Sequence, residues 1–231
     1  MLQRAARRLE RGRQRAAGPV RRAAGQDAGP VRNVTDPQSR LMPVRGGGFI
    51  QGYNAQAVHS ADGLCLATAV TQDTTDYGSF EPMMARAQAA SALLRAHARG
   101  PLRRLRAKIG TALADAGYRS EANLTCPGPD RLIATGKRRD LERSARQPRA
   151  APPPGEPDPA AAMAARLATP QGIATYRHRG PIAEGPFGNI KHNRNFRRFS
   201  MRGITRASGE WAFQNTITNL LKIHATGWQP A

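Results

Sequence analysis

Acid is scarce in this chain. Its 231 residues hold 16 Asp and Glu against 36 Lys and Arg, a formal charge of +20 at pH 7. A field of that size favours a polyanionic partner and speeds encounter with it. Lysine is scarce as well: it stands only at positions 108, 137, 191 and 222, so arginine carries the charge. A GC-rich coding bias would account for Arg over Lys. It does not account for so large an excess over Asp and Glu, and nucleic acid is the expected partner. The two cysteines, Cys65 and Cys126, match no metal-ligand spacing. They read as reduced thiols of a cytoplasmic protein rather than as a disulfide framework. No apolar run approaches the roughly 20 residues a membrane helix needs, so no membrane partner is expected. The Arg-rich start superficially suits a transit peptide, but the same composition continues along the whole chain.

Bulky apolar residues are almost missing from residues 1–32, which therefore cannot bury a core and read as a disordered basic arm. From Gly48 the pattern changes. Phe49–Ala57 and Leu64–Val70 make two strand-like runs, and Asp62-Gly63 between them signals a hairpin turn. Phe80, Met83, Met84, Ala87, Ala90, Leu93 and Leu94 recur at helical spacing, predicting a helix over about 79–98 with Asp76 or Ser79 as N-cap. Residues 109–114 read as a short buried strand with Asp115 at its tip, residues 120–124 as a helical turn, and residues 131–135 as a further strand. Residues 138–160, charged and then Pro-rich, read as an insertion. A short helix over 160–167 follows, then helices over about 184–199 and 205–225. The last is expected to carry Phe213, Ile217, Leu220, Leu221 and His224 on one face. This order predicts an α/β fold with a mixed central sheet.

An aspartate where a strand ends and a glutamate on a later helix form the kind of set that holds a divalent metal over a phosphodiester. Mg²⁺ prefers oxygen ligands, and metal pairs serve in-line displacement at phosphorus. Asp115 and Glu184 are the candidates, both as metal ligands and as catalytic groups. Each has a plainer reading: Asp115 as a turn aspartate ahead of Gly117, Glu184 as a helix N-terminal carboxylate favoured by the dipole. Lys191 lies seven residues after Glu184, two turns along a regular helix, where a cation could grip the phosphate backbone. His192, Arg194, Arg197 and Arg198 extend that basic surface, or form an ordinary solvated face. Phe187, Phe196, Phe199 and Trp211 read as core. The other histidines show no metal spacing, and His224 reads as a core or interface residue.

Five motifs occur in order: Asn33-Val-Thr-Asp-Pro-Gln-Ser-Arg-Leu-Met42, Gly52-Tyr-Asn-Ala-Gln56, Asp115-Ala-Gly-Tyr118, Gly185-Pro-Phe-Gly-Asn-Ile-Lys191, and Glu210-Trp211 with Asn219-Leu-Leu-Lys222. Together they resemble bacterial insertion-sequence transposases of the DDE type with the Y-R-E-K signature, over residues 33–226. The resemblance implies a ribonuclease-H-like fold of mixed sheet flanked by helices. It also implies Mg²⁺- (or Mn²⁺-) dependent strand cleavage and transfer in DNA transposition, with transposon ends and target DNA as partners at the nucleoid. Homo-oligomer formation stays open. Tyr176 and Arg179 stand at the first two signature positions, with DNA ends and phosphates as their implied ligands. Arg179 lies five residues before Glu184, where the broader signature has four.

The resemblance also implies an earlier aspartate on a first core strand, upstream of Asn33. Only Asp27 stands there, in a small-residue, turn-rich stretch; Asp36, Asp62, Asp73 and Asp76 are the alternatives. The expectation is therefore the C-terminal catalytic part of a longer transposase: arm 1–32, catalytic domain 33–226 with its insertion at 138–160, and tail 227–231. Such a chain is expected either to cleave DNA or to persist as a catalytically silent DNA-binding remnant.

Overall fold

The computed structural model describes residues 33–44, 46–98, 108–136 and 158–226. The arm, most of the Pro-rich insertion and the tail lie outside them. Among the described residues the strands form three separate pairs in place of the single mixed sheet expected. β1 (Arg40–Pro43) and β2 (Phe49–Gly52) pair antiparallel, as do β3 (Asn54–His59) and β4 (Cys65–Thr71). β5 (Thr111–Ala114) and β6 (Asp130–Ile133) pair in parallel. The run over 49–57 is thus two strands, not one, divided at Tyr53. The first of them pairs with a segment whose Arg and Pro ends give no strand signal. The hairpin turn is where it is expected, with Gly63 at φ +87, a conformation that glycine adopts without steric cost.

Helix α1 spans Phe80–His97 and buries Phe80, Met83, Met84 and Ala87, in line with the first half of its apolar spacing, whereas Leu93 and Leu94 of the same series are exposed. Ser79 occupies the cap position, but its side chain makes no capping bond. After β5 comes a single 3₁₀ turn (Ala116–Tyr118), then the short helix α2 (Glu121–Thr125), which returns the chain to β6. Phe80, Met84, Ala112, Ala114 and Ile133 make the core that clamps the β5–β6 pair against α1. Full burial of a Phe, Met or Ile side chain contributes about 1.5–3 kcal/mol.

Helix α3 (Pro159–Ala168) is capped by Asp158 and α4 (Pro170–Tyr176) by Thr169, whose hydroxyl accepts from the Gly172 N–H at 3.0 Å. A Cβ at Gly172 would lie 2.1 Å from the Arg166 carbonyl oxygen, so only glycine permits this crossing. The chain then winds on without a break in a way that corrects the expected helix over 184–199. A π turn (Gly180–Glu184) leads into α5 (Gly185–Gly188) and a second π turn (Asn189–Asn193). Glu184 is therefore inside a helical stretch, not at a helix N-terminus, so the dipole explanation for it falls away. The winding ends at Asn193, six residues earlier than expected, and Asn195 takes a left-handed φ of 54.

Helix α6 (Ile204–Ala225) lies along β4 and corrects the other helical expectation. Its buried positions are Ala207, Trp211, Asn215 and Thr218, while Phe213, Leu220 and Leu221 face solvent. The reason is polar. The Trp211 indole N–H donates to the Gln56 carbonyl at 2.7 Å. The Asn219 amide bonds both backbone groups of Cys65, accepting at 2.6 Å and donating at 2.9 Å. Strand backbone groups beneath the helix need partners, and those partners decide which face turns inward. His224, expected in a core or interface, is exposed.

Candidate active site

Asp115 leaves β5 in an extended conformation, and its carboxylate accepts from the Gly117 N–H at 2.9 Å. Strand-end presentation and turn capping, the two readings weighed for this residue, coincide. The side chain is exposed. A Cβ added at Gly117 would lie 2.8 Å from Asp76 Oδ2 and 3.0 Å from Asp115 Oδ1. Glycine therefore keeps open the space between two carboxylates. Asp76, expected as a helix cap, turns its side chain to this space instead. Its Oδ1 accepts from the Asn54 amide at 2.8 Å and from the Gln56 amide at 2.7 Å. Beside them the Tyr118 hydroxyl donates to Gln56 Oε1. Burial, and then the charges of Asp76 and Asp115, raise the pKa of that hydroxyl well above its ordinary value.

The second half of the site comes from α4 and the π turn. The Tyr176 hydroxyl donates to the Ala114 carbonyl at 3.1 Å, next to Asp115. Burial pushes its pKa up; Arg179 opposes this, and the charges of Asp115 and Glu184 add to it. The Arg179 guanidinium sits 5.9 Å from the Tyr176 ring centroid and donates to Glu184 at 2.6 Å. A π turn bonds i to i+5, so residues five apart come level. The extra residue between Arg179 and Glu184 is taken up in this way, and the pair stays side by side. The Glu184 side chain is 69% exposed.

Lys191 is exposed, with its ammonium 5.8 Å from the Phe187 ring centroid. It belongs to the second π turn, so the two regular turns expected between Glu184 and Lys191 do not exist. Arg197 and Arg198 are exposed too. Arg194 is different: its guanidinium donates to the Gln214 carbonyl at 2.7 Å and to Thr218 at 2.6 Å, tying the end of the π turn to α6. Desolvation lowers its pKa. An open groove of about 1220 Å³ has Asp76, Asp115, Arg179, Glu184 and Lys191 among its lining residues.

Residues 142–224 match the family model described as Transposase DDE domain. Over that stretch, about a third of its length, the chain is similar to transposase DDE domains. The transposase match takes in Tyr176, Arg179, Glu184 and Lys191, and Asp115 lies before it. No curated protein and no solved structure matches the chain.

DDE transposases generally use a divalent metal. Among the described residues, no three or more His, Cys, Asp or Glu side chains gather where they could hold one. The donor chemistry nevertheless fits at Asp115 and Asp76: both offer hard carboxylate oxygens, with space between them that a Cβ would fill. Glu184 is held by Arg179. No helix of the described residues is long and apolar enough to cross a membrane. Gln56 escapes sequence reasoning as a site residue, and Asp76 enters it only as one of several alternatives, because nothing in their spacing joins positions 54 and 56 to 76 and 115. The quoted motifs are the available signal: Gln56 closes one and Tyr118 closes another, and the two side chains touch.

Proposed function

We propose that this chain is the catalytic part of a DNA transposase, cutting and joining strands at a site built on Asp115 and Glu184. The supporting observation is the groove that both carboxylates share with Lys191. In this reading the described segments are pieces of a ribonuclease-H-like fold. A divalent cation such as Mg²⁺, when bound, would activate the attacking oxygen and steady the leaving one. Asp115 supplies a carboxylate anchored by a backbone N–H, on a strand end fixed by buried neighbours. Glu184 supplies a second, which must leave Arg179 to serve. Arg179, once released, and Lys191 bind phosphate oxygens, the guanidinium as a fork and the ammonium as a point charge. Arg198 extends the DNA surface. Arg194 supports that surface from behind, since it donates to α6. The net charge draws DNA to the groove.

A second reading has its own support. Glu184 is neutralised by Arg179, and the acidic groups among the described residues number fewer than three at any one point. On that reading the chain binds DNA and does not cut it. Strand cleavage with Mg²⁺, on DNA bearing the ends of the chain's own genomic element, separates the two. Cleavage that Asp115→Asn abolishes, with binding intact, supports the transposase. Binding without cleavage in the wild type supports the silent binder, and cleavage surviving in Asp115→Asn would overturn the site.

A further inference from the structure

Gln56 is 4% exposed, among the most buried polar side chains of the described residues, and both ends of its amide are engaged. The amide nitrogen donates to Asp76 Oδ1 at 2.7 Å and to Asn54 Oδ1 at 2.7 Å. The amide oxygen accepts from the Tyr118 hydroxyl, and the backbone carbonyl accepts from the Trp211 indole at 2.7 Å. The amide can stand only one way round: reversed, its oxygen would face the Asp76 carboxylate with no proton between them. Two groups that flank Asp115 therefore hang from one residue. Asp76 is one, reaching toward Asp115 across Gly117. Tyr118, the residue that follows Gly117 in the same turn, is the other.

We infer that Gln56 is the positioning residue of this site. Its side-chain amide fixes the Asp76 carboxylate and the Tyr118 hydroxyl, and through them the turn that presents Asp115. The inference rests on the reading of Asp115 as a working carboxylate. It concerns a residue on β3, far in sequence from the transposase match, and it gives the Gly52–Gln56 motif a task. Tyr53 of the same motif does comparable work elsewhere, bonding Asp36 at 2.8 Å, while Asp36 accepts from the Gly203 N–H at 3.3 Å. Asn54 completes the hold on Asp76.

Gln56→Glu provides the test, because it keeps the shape and makes the contact depend on one proton. With the introduced carboxyl protonated, its hydroxyl donates to Asp76 and its other oxygen still accepts from Tyr118, only the bond to Asn54 Oδ1 being lost. With that carboxyl ionised, two carboxylates face each other and the turn must shift. A carboxyl forced against another titrates above its ordinary value of about 4.3. The full chain would be titrated with Mn²⁺ alone by calorimetry at about pH 5 and about pH 8, each variant being compared with wild type at the same pH. Loss of an orienting partner typically costs about 10–100-fold in metal affinity. Gln56→Glu should match wild type at the lower pH and bind about tenfold or more weakly at the higher one. Gln56→Leu should be weak at both, and melting curves at both pH values should show each variant folded. If Gln56→Leu fails to fold, Gln56→Glu at the lower pH serves as its own folded control. Wild-type affinity in both Gln56 variants, with Asp115→Asn defective, would overturn the inference and leave the site standing. Binding unchanged by Asp115→Asn, or absent from the wild type, would remove the site and the inference together.

Discussion

Asp115 and Glu184, two of the acidic residues lining the groove, are mounted in opposite ways. Asp115 follows a buried parallel strand, its carboxylate is anchored by a backbone N–H, and its surroundings are a closed polar network around Gln56. Glu184 rides on an irregular π turn, is largely exposed, and is paired with an arginine side chain. One position is set by the fold and the other by an exchangeable ion pair. On the proposed reading, such a site would hold its first carboxylate ready and bring in the second when a ligand competes for Arg179.

That contrast can be broken from either side, and the largest effect should come at the fixed end. Asp115→Asn is expected to reduce Mg²⁺-dependent cleavage to background while DNA affinity holds, as read by a strand-cleavage assay beside a binding titration. Next in size is the scaffold. Trp211→Ala removes a side chain that is 3% exposed, together with its bond to Gln56. It should cost about 3–5 kcal/mol in denaturant unfolding, and a loss under about 1 kcal/mol would mean that α6 does not brace the hairpin.

The movable end predicts a split between stability and activity. Glu184→Gln should abolish cleavage yet change unfolding by no more than about 1 kcal/mol, because exposed ion pairs contribute little. Lys191→Ala should weaken DNA binding and reduce the salt slope by about 1; an unchanged slope would discard its phosphate role. The smallest effect lies away from the groove. Arg166 donates to Asp130 at 2.6 and 2.5 Å and holds that carboxyl down at about 2. A carboxyl lowered on folding stabilises the protein above its unfolded value, and that stability is lost as pH falls toward about 2. With both side chains 46% exposed, the contribution is at most about 1 kcal/mol. Thermal melts of Arg166→Ala and wild type should therefore converge as pH is lowered through that range.

Local physics makes much of this legible. The hairpin announces itself through Asp62-Gly63, and α1 through its apolar spacing. Asp115 is legible at a strand tip because Thr111–Ala114 is a short run of small and apolar residues ending in a charge. Helix α6 has a legible extent but a misleading face: apolarity points to Phe213 and Leu220, whereas the hydrogen-bonding demands of β3 and β4 select Trp211 and Asn219. The π turns escape because composition carries no mark of them; the five-residue step from Arg179 to Glu184 is their trace. Asp76 is legible as a cap and as one of four alternatives for an earlier aspartate, but nothing singles it out, since its partnership with Gln56 and its approach to Asp115 are made by folding.

Asn219 has one more consequence. Its amide gives Cys65 both the donor and the acceptor that a neighbouring strand's peptide would otherwise offer. At that position the hairpin is stoppered by a helix side chain, and a strand arriving from another molecule would first have to displace it.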